Sequence, residues 1–287
     1  MHQFNYLEPA TLADAVTLLT RHGAAANLLA GGTDLLVEIK ESLRRPALVI
    51  NIKRITGIEA LTFDAKRGLH IGALTTARTV EMHPAIATHY PGLHRAVQEL
   101  GSIQVRNRAT IVGNVCRASP SADTLPPLIA DGATVAIVGP SGERHVAMEA
   151  FFTGPGRTVL GAGEIVTGID VPAPPPGMGK SYIKHGRRKA MELATVGVAV
   201  CLTIEQGVCR DVRVVLGAVA STPIRAHAAE ALLRGQTLTD ERVEAAGVAA
   251  MAESRPISNV RASADYRREM VGVLTRRAIR EAEGRTR

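Results

Sequence analysis

Four of the eight residues in "PAPPPGMG", Pro172 to Gly179, are proline. Proline fixes φ and has no amide hydrogen to donate, so this segment cannot be the core of a helix or a sheet and reads as a linker. The chain therefore has to divide there, and the two sides carry different patterns. Before it, short apolar runs alternate with helical spacings. A capping-box-like Thr11-Leu12-Ala13-Asp14 precedes Leu12, Ala15, Val16 and Leu19 on one helical face, with Gly23 as the stop. A short strand from Asn27 to Ala30 meets Gly31-Gly32; helical spacing resumes through Leu35, Leu36 and Ile39 to Leu43, and "ALVINI" (47–52) is β-rich. A middle segment offers a strand running into a polar turn at "LHIGALTT" (69–76), a helix at "PGLHRAVQEL" (91–100), a hairpin around Pro140-Ser141-Gly142 and a strand at "EIVTGIDVP". After the linker come two long strands joined at Gln206-Gly207, then three helical segments near 226–234, 239–254 and 262–282. Three units are expected: 1–56, 57–176 and 177–287.

With 287 residues, 46% of them hydrophobic, the chain can build two or three cores. No uncharged apolar run reaches the ~18 residues a membrane span needs. The start lacks a basic segment followed by an apolar one, so no secretory leader is expected. Cys116, Cys201 and Cys209 form no C-x-x-C pair, and iron–sulfur clusters and structural zinc usually take about four protein ligands. Reduced thiols in a cytoplasmic protein are expected, with no metal site; the histidines show no ligand spacing. The net charge of +7 is concentrated at the end, where residues 255–287 hold nine Arg against four Asp or Glu. Aromatics are 3% and Trp is absent, which leaves few stacking platforms and argues against nucleic acid. A solvated helix face or a subunit contact accounts for the arginines.

Two short stretches carry the chemistry. In "LLAGGTDLLVEIK" (28–40) a glycine pair separates strand from helix, which permits backbone angles closed to other residues and lets a ligand approach free amides. The spacing is neither G-x-G-x-x-G nor a Walker loop, so a tight turn and an anion site both remain open. In "ATIVGNVCRASPSAD" (109–123), Thr110, Asn114, Ser119, Ser121 and Asp123 form a small, polar run read as a loop. Amides for a pyrophosphate and Asp or Asn for hydroxyls are what a dinucleotide requires, although a plain surface loop would look the same. The basic run Arg187, Arg188, Lys189 ahead of Glu192 reads as a solvated salt-bridging patch or a contact with a pyridine nucleotide or partner subunit.

Taken in order, "LLAGGTDLL", "IGALTT", "TIVGN" with "SPSAD", "GEIVTGIDVP" and "KHGRRKAMELATVGVA" give the chain a specific resemblance. From about residue 3 to 285 it resembles the FAD-binding medium subunit of molybdenum hydroxylases, the group that includes xanthine dehydrogenase and carbon monoxide dehydrogenase. The resemblance implies an α+β, vanillyl-alcohol-oxidase-like (PCMH-type) fold. Two α/β subdomains hold FAD between them, and a C-terminal domain has an antiparallel sheet with helices. It implies a first FAD loop of Leu28, Leu29, Ala30, Gly31, Gly32, Thr33, Asp34 and Leu35, with the glycines at the pyrophosphate. A second comprises Thr110, Ile111, Gly113 and Asn114. Asp123 is implied at the polyol or ribose, Leu100 near the ring system, and Val166 and Lys184 at flavin contacts. The role implied is an oxidoreductase subunit with no catalytic acid or base of its own. Molybdopterin and iron–sulfur clusters would sit on large and small partner subunits, and electrons would pass through FAD to NAD⁺, oxygen or a quinone. One departure stands out: the usual second loop reads T-x-G-G-N, and here Val112 precedes Gly113. Positive φ is costly for valine, so either that position has ordinary angles or the loop is rearranged. A stand-alone flavin oxidoreductase and a scaffold subunit with a degenerate flavin site are the alternatives.

Overall fold

The computed structural model describes residues 3–286. The first unit is a three-stranded parallel sheet with Leu48–Asn51 in the middle, flanked by Asn5–Leu7 and Ala26–Leu29. Parallel strands are joined by crossovers, here the Leu35–Lys40 helix between Ala26–Leu29 and the central strand and the Leu12–His22 helix between the two outer strands. Thr11 caps that helix by accepting from the Asp14 amide, and Gly23 ends it at φ +50. The second helix is shorter than its spacing suggests. It spans Leu35–Lys40, because Ser42 at φ +60 reverses the chain and leaves Leu43 79% exposed.

The second unit is a five-stranded antiparallel sheet in the order Leu61–Asp64, Gly68–Gly72, Ile165–Val171, Thr134–Gly139, Gly142–Ala147. The excursion between its second and third strands in chain order, residues 73–133, holds helices that the sequence pattern mostly does not show. They are Ala77–Met82, Pro84–His89, Pro91–Gln98, Ile103–Arg106, Ile111–Arg117 and Leu125–Ala130. One hydrophobic core runs through both units, from Ala15 and Ile50 to Ile111, Leu128 and Ile169.

The third unit is a four-stranded antiparallel sheet, Met178–His185, Val196–Glu205, Val208–Gly217 and Ile224–Arg225. Strand structure thus begins inside the proline-rich segment, at Met178. Helices His227–Leu233, Asp240–Glu253 and Ala264–Glu283 pack on it around a second core that includes Val198, Val214 and Ile279. The last helix is not simply a solvated basic face. Arg267 is 2% exposed and donates to the carbonyls of Thr195 and Ala218. Arg276 and Arg280 pair with Glu244, Asp240 and Glu283. No helix among the described residues is long and apolar enough to cross a membrane.

Candidate functional site

A cleft of about 610 Å³ opens where the first two units meet, with residues 191–193 of the third at its edge. That volume suits a sizeable organic ligand. Its floor is made by the two glycine-bearing stretches, which are brought into van der Waals contact although they lie far apart in the chain. A Cβ on Gly31 would come within 2.3 Å of the Arg108 carbonyl oxygen and 3.0 Å of Ala109 Cα. Gly31 is therefore demanded by the approach of the second stretch. Gly32 is demanded by its own backbone, at φ +76.

The first stretch leaves its donors unspent. Among the described residues, the amides of Gly31, Gly32, Thr33, Asp34 and Leu35 donate to no protein acceptor, and all five residues line the cleft. Successive free amides at a turn make an anion-binding concavity. Two cations, Lys53 and Arg108, stand beside this stretch without lining the cleft. Lys53 Nζ donates to the Ala30 carbonyl at 3.1 Å, and burial followed by the repulsion of Arg108 lowers its pKa. The acidic groups nearby are already engaged: Glu38 pairs with Arg117 at 2.7 Å and Arg44 at 2.9 Å.

The second stretch is a capped helix start rather than a loop. Thr110 Oγ1 accepts from the Gly113 amide at 3.0 Å, opening the Ile111–Arg117 helix. Val112 sits in its first turn without positive φ, buried to 4% exposure, so its side chain does not strain the backbone. Behind it, the Ala77 amide donates to Ala109 and the Ile111 amide to Thr75, which ties "IGALTT" to the helix start. Asn114 accepts from Thr124 Oγ1 at 2.7 Å through its side-chain oxygen, which leaves its amide nitrogen at the cleft.

Asp123 is 6% exposed yet lines the cleft. Its two oxygens accept from Tyr182 Oη and Lys184 Nζ, both at 2.8 Å. Burial raises its pKa to about 6, against the opposing pull of Lys184 and Tyr182. The phenol of Tyr182 is raised well above its ordinary value, by burial first and then by Asp123. Lys184 spends its remaining donors on the carbonyls of Glu99 at 3.0 Å and Glu192 at 2.8 Å.

Leu28, Ala30 and the five residues of the amide run line the cleft together with Leu100, Thr110, Gly113, Asn114, Asp123 and Val166. Three expected residues do not. Leu29 and Ile111 are buried in the cores behind it, and Lys184 reaches it only through Asp123. The sequence reading missed Tyr182, Arg106 and the rim residues Met191 and Leu193, which are 55% and 45% exposed. Tyr182 had a signal: on a strand, residues two apart share a face, so it had to accompany Lys184. Arg187 and Arg188 pair with Glu192 at 3.5 and 3.0 Å. Among the described residues, no group of three metal-ligating side chains is placed to hold an ion.

Residues 2–174 match the family model described as the FAD binding domain in molybdopterin dehydrogenase, and residues 181–282 match the CO dehydrogenase flavoprotein C-terminal domain. The chain belongs to this FAD-binding family. It is 32% identical to the putative xanthine dehydrogenase FAD-binding subunit of Escherichia coli, over 97% of this chain and 95% of that protein. It is 34% identical to the carbon monoxide dehydrogenase medium chain of Hydrogenophaga pseudoflava, over 99% and 98%. The solved carbon monoxide dehydrogenase of H. pseudoflava superposes with a TM-score of 0.95 at 36% identity, covering 99% of this chain and 98% of that one. Quinoline 2-oxidoreductase from Pseudomonas putida superposes at 0.91 and 27% identity, covering 98% and 97%. These matches bear out the family resemblance and the α+β flavoprotein fold, and they make FAD the cofactor. The donor set fits it: free amides and cations for a pyrophosphate, a carboxylate and an amide for hydroxyls, and apolar walls for a ring system.

Proposed function

We propose that the chain is the FAD-carrying electron-transfer subunit of a molybdenum hydroxylase, working with an iron–sulfur small subunit and a molybdopterin large subunit. The observation that carries this is the cleft in which two distant glycine-bearing stretches meet around unspent amides. The medium and FAD-binding chains that it resembles along nearly their whole length support the same reading. Its three larger sheets lie one each within 1–56, 57–176 and 177–287, and we take these ranges as its working units.

The run from Gly31 to Leu35, with Lys53 and Arg108 beside it, would hold the pyrophosphate. Asn114 and Asp123 would meet ribityl or ribose hydroxyls. Leu100 and Val166 would wall the ring system. Leu29 and Ile111 hold these segments from behind, and Lys184 fixes the carboxylate of Asp123. Bound FAD supplies redox chemistry, exchanging electrons singly or in pairs. The chain's own contribution is to bind, orient and exclude water. A cytoplasmic setting fits the three free cysteines. The test is purification of the chain followed by denaturation and quantitation of released FAD. One FAD per chain is expected. A colourless protein that stays colourless in excess FAD would favour the degenerate-scaffold alternative.

A further inference from the structure

Helices end with unpaired carbonyls and a negative dipole end, and the Pro91–Gln98 helix ends at the wall of the cleft. Four successive carbonyls there are all taken up by groups from elsewhere. Arg106 Nη1 donates to Gln98 at 3.2 Å and Leu100 at 2.9 Å. Lys184 Nζ takes Glu99, and the Met191 amide takes Gly101 at 3.4 Å. Leu100 and Gly101 line the cleft.

Arg106 is 7% exposed and does not itself line the cleft. Its other two nitrogens make a bidentate pair with Glu81, at 2.8 and 3.2 Å, and Glu81 is held in turn by Arg78 at 2.9 Å. Ser102 caps the four-residue Ile103–Arg106 helix by accepting from the Val105 amide, which fixes where the guanidinium starts. A planar fork can satisfy a carboxylate with one edge and two carbonyls with its remaining nitrogen; an ammonium cannot.

We propose that Arg106, braced by Glu81, is a positioning residue for the flavin ring. It sets the height and rigidity of the Leu100–Gly101 wall and so the fit of the ring half of FAD, leaving the pyrophosphate half untouched. This rests on the reading of the cleft as the FAD site with Leu100 beside the ring. It makes the two halves of one dinucleotide separately adjustable. The first-loop amides and cations grip the ADP half, and a buried ion pair behind the opposite wall governs the isoalloxazine half.

The experiment compares FAD and ADP affinity in the full chain for wild type, Arg106→Met, Arg106→Lys and Glu81→Gln, together with the absorption and visible circular dichroism of bound flavin. Arg106→Met is expected to weaken FAD by about tenfold or more, since it removes both charged hydrogen bonds to the wall carbonyls as well as the pair with Glu81. ADP affinity should stay within about twofold, because the first loop is untouched. Arg106→Lys and Glu81→Gln should move the FAD-to-ADP ratio the same way by less, and they carry the test if the methionine variant does not fold. The flavin circular dichroism should change in each. FAD and ADP affinity falling together, or neither falling, overturns the proposal, because a merely structural role would not separate them. A wild-type chain that binds no FAD overturns the flavin reading and this proposal with it. A wild-type chain that binds FAD beside variants with an unmoved ratio overturns the positioning role alone.

Discussion

Gly31→Ala tests the geometry of the cleft at its narrowest point. The added methyl would stand 2.3 Å from the Arg108 carbonyl oxygen and 3.0 Å from Ala109 Cα, and both are backbone atoms that cannot swing aside. An ordinary contact lies at 3.4 Å or beyond, so one stretch has to retreat from the other by about 1 Å. Overpacking of this kind costs about 1–3 kcal/mol. In the empty chain the strain can relax by the two stretches moving apart, so the melting temperature should fall only slightly. Binding has to bring them together again and bears the cost, which corresponds to roughly 5- to 150-fold weaker FAD. Gly32→Ala is the comparison: it forces a non-glycine residue to φ +76, at about 1–2 kcal/mol, and leaves the second stretch in place. Titration of deflavinated protein, followed by flavin fluorescence, should therefore rank Gly31→Ala as the more damaging variant. An unchanged Kd for Gly31→Ala would refute the argument that the two stretches must touch for FAD to be held.

Three further outcomes can be checked. Asp123→Ala should weaken FAD about tenfold to a hundredfold in the same titration, because a hydrogen bond to a charged group contributes about 1.5–3 kcal/mol; equal affinity would remove Asp123 from the site. Without FAD, the Asp123 carboxyl has a folded-state pKa of about 6, raised above its ordinary value of 3.8, so its stabilising protonation is complete below 3.8 and lost as pH rises to 6. Denaturant midpoints should fall across that window by an amount on the order of 2–3 kcal/mol, and Asp123→Asn should flatten the slope; an unflattened slope assigns it to other groups. The purified chain alone should contain no metal and hydroxylate no aromatic or heterocyclic substrate, acquiring that activity only with iron–sulfur and molybdenum subunits; substrate turnover by the metal-free chain would favour a stand-alone flavoenzyme.

Local chemistry made several elements legible in the sequence alone. Thr11 and Gly23 bracket a helix, the Gln206-Gly207 turn joins two long strands, and the prolines from 172 to 176 mark where the sheets change. These signals act within a few residues, so no distant partner is needed to read them. The same locality explains the misreadings. Short helices such as Ile103–Arg106 and Ile111–Arg117 have too few turns for a periodic pattern, and tertiary packing stabilises them. The reason for Gly31 was likewise invisible: a glycine pair announces backbone freedom, but only the fold shows that Gly31 is required by the carbonyl of Arg108. The motif named Asp123 and Lys184 separately; Tyr182 and Lys184 share one face of a single strand, and tertiary packing brought the Asp123 carboxylate to both. Arg106 carried no signal in the sequence, and Arg267 stood among the C-terminal arginines read as a solvated helix face or a subunit contact, because nothing near either in the chain indicates burial. Their partners, Glu81 and the carbonyls of Leu100, Thr195 and Ala218, are gathered only when separate segments pack, and the loss of water there is what makes those hydrogen bonds matter.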